Sequence, residues 1–274
     1  MANRWKIAFC FGLVAALPVH GQGFDPGCAL PFESIKLEHP IIDSSCGMDG
    51  SARGGGAPTA TKLAENHAKN NFCLSGNPKT ITYSTFLKLG AATADIKESD
   101  LTDRASKLSD LVTVNGKKFG EGVLVRYVAF VLHAKASDTK RGNSTTFGES
   151  VNCYRPSDEE NDIHIMLARS SDEDTCQTVT GEMSPHFRPD EWTPDNLNAL
   201  KVHPVRITGQ LFFDSSHKPC HGTVRASPPR ASVWEIHPIY AIEVCKGTSL
   251  QSCKTGPASK WVPLDQWASQ DSDE

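Results

Sequence analysis

The chain has 274 residues, of which 38% are hydrophobic, 22% charged and 8% aromatic, and its formal net charge is −4. That length holds one large domain or two small ones, and the composition is globular, neither collagen-like nor that of a disordered chain. The acidic balance excludes a strongly basic nucleic-acid binder, and no apolar run reaches the roughly 18 residues a membrane-spanning helix needs.

Residues 1–21 read as a secretory signal. Arg4 and Lys6 precede an apolar stretch from Ile7 to Val19, and small residues follow at Gly21 and Gly23. Cleavage after Gly21 removes two cations and no acid, which takes the net charge from −4 to −6. The segment also carries Cys10 away. Eight of the nine cysteines then remain: Cys28, Cys46, Cys73, Cys153, Cys176, Cys220, Cys245 and Cys253. An even number in an exported chain predicts disulfides rather than thiolate metal ligands, and no C-x-x-C occurs. Three of the eight belong to an N-terminal region and five to the rest, so at least one bridge must join the two. The expected location is secreted or periplasmic.

Residues 22–60 have loop composition and hold a glycine cluster at Gly54–Gly56 with no P-loop Lys-Ser/Thr after it. Thr59 or Thr61 caps a predicted helix running to Phe72. A short helix is predicted over Ser84–Leu89, and one or two surface helices over 95–112. Beyond Gly116 the period moves toward two. Gly122–Ala134 is apolar on both faces and reads as a long buried strand, with His133 a rim residue at its end. Residues 135–161 read as a long exposed loop. Strands are then predicted at Asp162–Arg169 and Gln177–Met183. A helix opened by Thr193-Pro194 runs through Leu197 and Leu200. Two more strands follow, Pro204–Asp214, with a bend at Gly209, and Val233–Val244, broken by Pro238.

The order β-β-β-α-β-β is that of an OB-fold, a small five-stranded Greek-key barrel. An antiparallel sandwich fits the strand count too, and the helix placement favours the barrel. The expected fold is therefore mainly β with minor α. A small disulfide-containing helical and loop region at 22–116 precedes an OB-like barrel at 117–246. A tail at 247–274 follows, in which Trp261 and Trp267 would dock as a flap and the last residues would be disordered.

The usual chemical signatures are missing: there is no G-x-S-x-G, no H-E-x-x-H, no EF-hand loop and no dinucleotide fingerprint. One polar constellation remains. Asp162 and His164 lie two apart on a strand, so they share a face, and Glu235 and His237 do the same on another. Trp234, Ile236 and Tyr240 alternate with the second pair and should point inward. Glu182, Asp214 and His217 fall near strand ends. Converging faces would gather carboxylates and imidazoles in one place. That set can brace strand ends by hydrogen bonds, bind a divalent metal such as zinc, or run acid/base chemistry. No cofactor is firmly implied. The acidic stretches Asp158–Asp162 and Asp172–Asp174 are either solvated loop charges or weak calcium ligands. Asn143-Ser144-Thr145 has the form of a glycosylation sequon.

Asp162-x-His164, Glu182, the run Val205–Asp214 with His217, and Glu235-Ile236-His237-Pro238 resemble a group of uncharacterised bacterial exported proteins. Those proteins share a D-x-H strand, a later Glu, a V-x-x-T-G-x-x-F-F-D-x-x-H stretch and an E-[IL]-H-P strand. The resemblance covers about 160–245 and implies a bacterial exported protein without implying an activity. An OB-fold raises nucleic acid as a partner, but the second and third strands carry Arg169 and no aromatic residue, which makes it an unlikely one. The reading is an exported, disulfide-braced binding or structural protein of the cell envelope, with partner and ligand unknown. The alternative is a metal-dependent hydrolase using Asp162, His164, Glu182, Glu235 and His237.

Overall fold

A computed structural model describes residues 45–72, 76–137, 140–141, 144–145, 148–186 and 188–271. The signal segment, Cys28, Cys73, the sequon asparagine and the last three residues lie outside them. In chain order the elements are α1 (Ala60–Lys69), β1 (Lys79–Thr80), α2 (Tyr83–Ala92), α3 (Arg104–Leu108), β2 (Val112–Val114), β3 (Lys117–Phe119) and β4 (Leu124–Ala136). There follow β5 (Lys140–Arg141), β6 (Ser144–Thr145), β7 (Ile163–Ala168), β8 (Val179–Met183), α4 (Pro194–Ala199), β9 (Val205–Phe213) and β10 (Trp234–Cys245). Last come α5 (Leu250–Thr255), β11 (Trp261–Pro263) and α6 (Leu264–Asp271).

Five strands close a barrel. β4 pairs antiparallel with β7 through its second half and with β9 through its first. β7 pairs antiparallel with β8, β8 runs parallel to β10, and β10 returns antiparallel to β9. Numbering the barrel strands one to five, the ring is 1-2-3-5-4-1 with the helix α4 between three and four, which is the OB topology. Thr193 caps α4, with Pro194 in its first turn. Gly209 stands where β9 crosses the β10 break. A Cβ there would lie 2.5 Å from the Pro238 carbonyl oxygen and 2.6 Å from Ile236 Cγ2, so only glycine permits the approach.

The core follows the period of two. Val125, Tyr127, Ala129 and Val131 of β4 meet Ile163, Ile165 and Leu167 of β7, with Ile207 and Leu211 of β9 and Trp234, Ile236, Ile242 and Val244 of β10. Phe86, Leu89, Leu101, Leu108 and Phe119, all preceding the barrel, join this same core. The tail docks too: β11 pairs with β10, and Trp267 lies against the His203 ring at 4.8 Å.

Two expectations need correction. Residues 135–161 are not simply an exposed loop: β4 runs on to Ala136, and Ser150, Val151, Asn152 and Asn161 are buried. The Cys46–Cys153 bridge and α1 cover the 150–152 turn, with Asn66 Nδ2 donating to Ser150 Oγ at 2.9 Å. Tyr240 is buried but outside the barrel core, since its hydroxyl donates to the Asn71 carbonyl beyond α1. The cause is a pair of register shifts around Ile239, which break the alternation after Pro238. His133 is exposed.

Three disulfides close Cys46–Cys153, Cys176–Cys220 and Cys245–Cys253. The first joins the N-terminal region to the barrel domain, as the odd cysteine split requires. Among the described residues no helix is long and apolar enough to cross a membrane.

Candidate functional site: a charged network on the barrel wall

Strands β7, β8 and β10 turn one face to the apolar core. Their other face is the outer wall on which many OB barrels hold ligands. Here that wall is polar and covered. His164 projects from β7, Glu182 from β8, and Glu235 and His237 from β10. Helix α1 and the segment around Glu149 lie over them, which is why Glu182, Glu235 and His237 are all at or below 1% exposure.

Glu182 is the centre. Its Oε1 accepts from His164 Nε2 at 2.8 Å and its Oε2 from His237 Nδ1 at 2.7 Å. On one side the network continues through His164 Nδ1 to Ser137 Oγ at 3.2 Å. On the other, His237 Nδ1 lies 3.6 Å from Glu235 Oε1, and Arg230 Nη1 donates to Glu235 Oε2 at 3.2 Å and to Asp214 Oδ2 at 2.8 Å. Asp214 Oδ2 then meets His217 Nδ1 at 2.6 Å. Six of the seven residues singled out in the sequence thus stand in one line of alternating charge. Asp162, the seventh, lies beside Glu182 and His237, and neither of its oxygens has a hydrogen bond among the described residues.

Four members carry no periodic signal and were not singled out. Lys69 ends α1, with its Nζ 2.5 Å from Glu149 Oε2 and 3.6 Å from Glu182 Oε2. Glu149 lies in the segment read as exposed loop. Arg230 comes from the irregular stretch between β9 and β10, and Ser137 from the end of β4. Lys69 could have been suspected from its place on the inner side of an amphipathic helix; nothing local marks the others.

The electrostatics follow from burial against pairing. Burial would push the His164 imidazole down, but the Glu182 carboxylate overrides it and holds the ring up to about 9. His237 is raised in the same contest to about 10. Burial favours a protonated Glu182, yet His164, Lys69 and His237 together hold it well below the usual carboxylate range. Asp214 is likewise held far down against burial by His217 and Arg230. Glu235 goes the other way: burial, with Glu182 and Asp214 beside it, lifts it to about 7. Burial also raises Asp162.

Ser137, His164 and Glu182 have the order of a nucleophile, a base and its orienting acid. An imidazole raised to about 9 keeps its proton at neutral pH, however, and cannot take one from the serine. Among the described residues two triplets have ligand-like spacing, Glu149–His164–Glu182 and Asp162–Glu182–His237. Lys69 places an ammonium against Glu149 of the first and, at 3.6 Å, against Glu182, which both share. The acidic loops are paired within the protein: Glu173 with Arg169, Asp174 with Arg225, and Glu160 with Ser157.

Above the network opens a cleft of about 540 Å³. Its lining includes Lys69, Ser137, Glu149, His164, Tyr154 and His217. The Arg53 guanidinium lies over the Tyr154 ring at 5.5 Å. Comparison of the chain with family models, curated proteins and solved structures finds no match.

Proposed function

We propose that the chain is an exported binding protein of the bacterial cell envelope, and that its ligand occupies the cleft between α1 and the outer barrel wall. One observation carries this reading. The cleft lies against the second barrel strand and the loops that follow the first and fourth strands, where OB-folds take oligonucleotides and oligosaccharides. The three disulfides and the signal-like N-terminus support export to an oxidising compartment.

The lining favours a polyhydroxylated ligand. Ser137, Ser150, Asn66, Glu65 and Glu149 offer both donors and acceptors, and Tyr154 offers one ring face. Arg53, Lys62, Lys69 and Lys135 also line the cleft, and Glu65 and Glu149 pair with two of them, so a phosphate backbone is the competing ligand. A hydrolase would need a free base or an open metal position, and the imidazole facing the cleft is protonated. The test is calorimetric titration of the oxidised mature protein with chitotetraose and, separately, with a dT oligonucleotide. Saturable binding of the glycan, at least tenfold weaker in Tyr154→Ala, is expected. Binding of the oligonucleotide alone, or of neither, would overturn the reading.

A further inference from the structure

Among the described residues the network beneath the cleft holds one carboxylate, with the cations His237, Lys69 and Arg188 near it, that accepts no hydrogen bond. Asp162 has no solvent exposure, and neither of its carboxylate oxygens has a hydrogen bond among the described residues. His237 is equally buried. One donor atom each of Asp162, Glu182 and His237 lies within 4.8 Å of the other two. A dry carboxylate without a donor is costly. Two carboxylates and an imidazole are the donor set of a borderline divalent cation.

We propose that Asp162, Glu182 and His237 form a buried binding site for one divalent cation, with Zn²⁺ the best fit. Bonds of roughly 2.0–2.2 Å draw the three donor atoms inward by small side-chain rotations, without moving the strands. The ion takes the place of the proton shared by His237 and Glu182, so loading releases a proton. Glu182 is already fixed from the far side, since His164 Nε2 holds its Oε1 at 2.8 Å and Ser137 Oγ holds that ring in turn at 3.2 Å. Such outer partners orient a ligating carboxylate. Lys69 Nζ, 3.6 Å from Glu182 Oε2, is the competing cation, and its pairing with Glu149 lets it swing toward the cleft when an ion enters. The inference does not rest on the proposed glycan ligand.

The experiment uses the mature, oxidised protein, stripped with a chelator, dialysed and then given Zn²⁺ alone. One equivalent should survive further dialysis and raise the melting temperature. Asp162→Asn should bind at least a hundredfold more weakly, while His67→Ala, on the exposed side of α1, should bind like the parent. No retained zinc in the parent, or equal retention by Asp162→Asn, would overturn the proposal. If Asp162→Asn fails to fold, Co²⁺ loaded into the parent decides it. Visible bands of a low-coordinate oxygen and nitrogen site are expected, and the spectrum of hexaaqua cobalt would refute it.

Discussion

Arg230→Met separates a brace from an ornament. The guanidinium is fully buried and spans two buried carboxylates, at 2.8 Å from Asp214 and 3.2 Å from Glu235. Methionine keeps much of the length and removes the charge. Asp214 retains His217, whereas Glu235 is left with His237 at 3.6 Å and two carboxylate neighbours. Glu235 titrates at about 7, so it can escape by taking a proton, and Asp214 cannot do so cheaply. Breaking a buried pair by removing one partner costs about 3–5 kcal/mol, and Glu235's protonation should bring the loss to the lower end, about 3 kcal/mol at pH 7. Urea unfolding under oxidising conditions reads it as a lower midpoint at unchanged slope. The loss should shrink at pH 5.5, where Glu235 is neutral in both proteins. Arg230→Met with Asp214→Asn should recover part of it, because the charge that needed the guanidinium is gone. A loss below about 1 kcal/mol at pH 7 would show that water reaches this end of the network and that the line of charge does not hold the wall together.

Trp234→Ala should cost about 3–5 kcal/mol in the same assay, because the ring is fully buried against Phe213 and its Nε1 donates to Thr93 Oγ1 at 3.0 Å; under about 1 kcal/mol would place it off the core face. Thiol titration of the denatured, unreduced mature protein should find no free cysteine, and peptide mapping should recover Cys46 with Cys153, Cys176 with Cys220 and Cys245 with Cys253; two free thiols would contradict a fully bridged chain. Cys46→Ala with Cys153→Ala should be the costliest bridge to remove, about 4–5 kcal/mol by loop closure over a separation of 107 residues. His217 is raised by its bond to Asp214, so its contribution is full below the ordinary histidine value and fades as pH climbs through the raised one. His217→Asn should therefore lower the urea midpoint at pH 6 more than at pH 9, and an equal loss at both would mean that the pair does not titrate as a pair.

The barrel was legible because its strands obey one period on the core side. Ile163, Ile165 and Leu167 alternate cleanly, and so do Trp234 and Ile236, which sets those faces before any partner is known. That period failed at Tyr240, where register shifts after Pro238 reset the alternation, and a break in one strand gives no local sign of how its partner will absorb it. The outer wall was legible only as types and spacings. Pairs two apart placed Asp162 with His164 and Glu235 with His237, but no spacing states that Glu182 lies between them. β8 reaches β10 by a parallel pairing, at Ile236 and Gly181, across more than fifty residues. Helix α1 was legible as a helix, but not its place over this wall. Lys69 and Arg230 reach the network from a helix and an irregular segment, and the contacts they make are long-range charge pairings that leave no periodicity. Their absence from the sequence reading also hid the depth of the site. Without them, Glu182 would keep only its two imidazoles and Asp214 only His217 as charged partners. With them, the same residues become fixed charges in a dry wall, and a carboxylate such as Asp162 that lacks a donor there is an anomaly that calls for a cation.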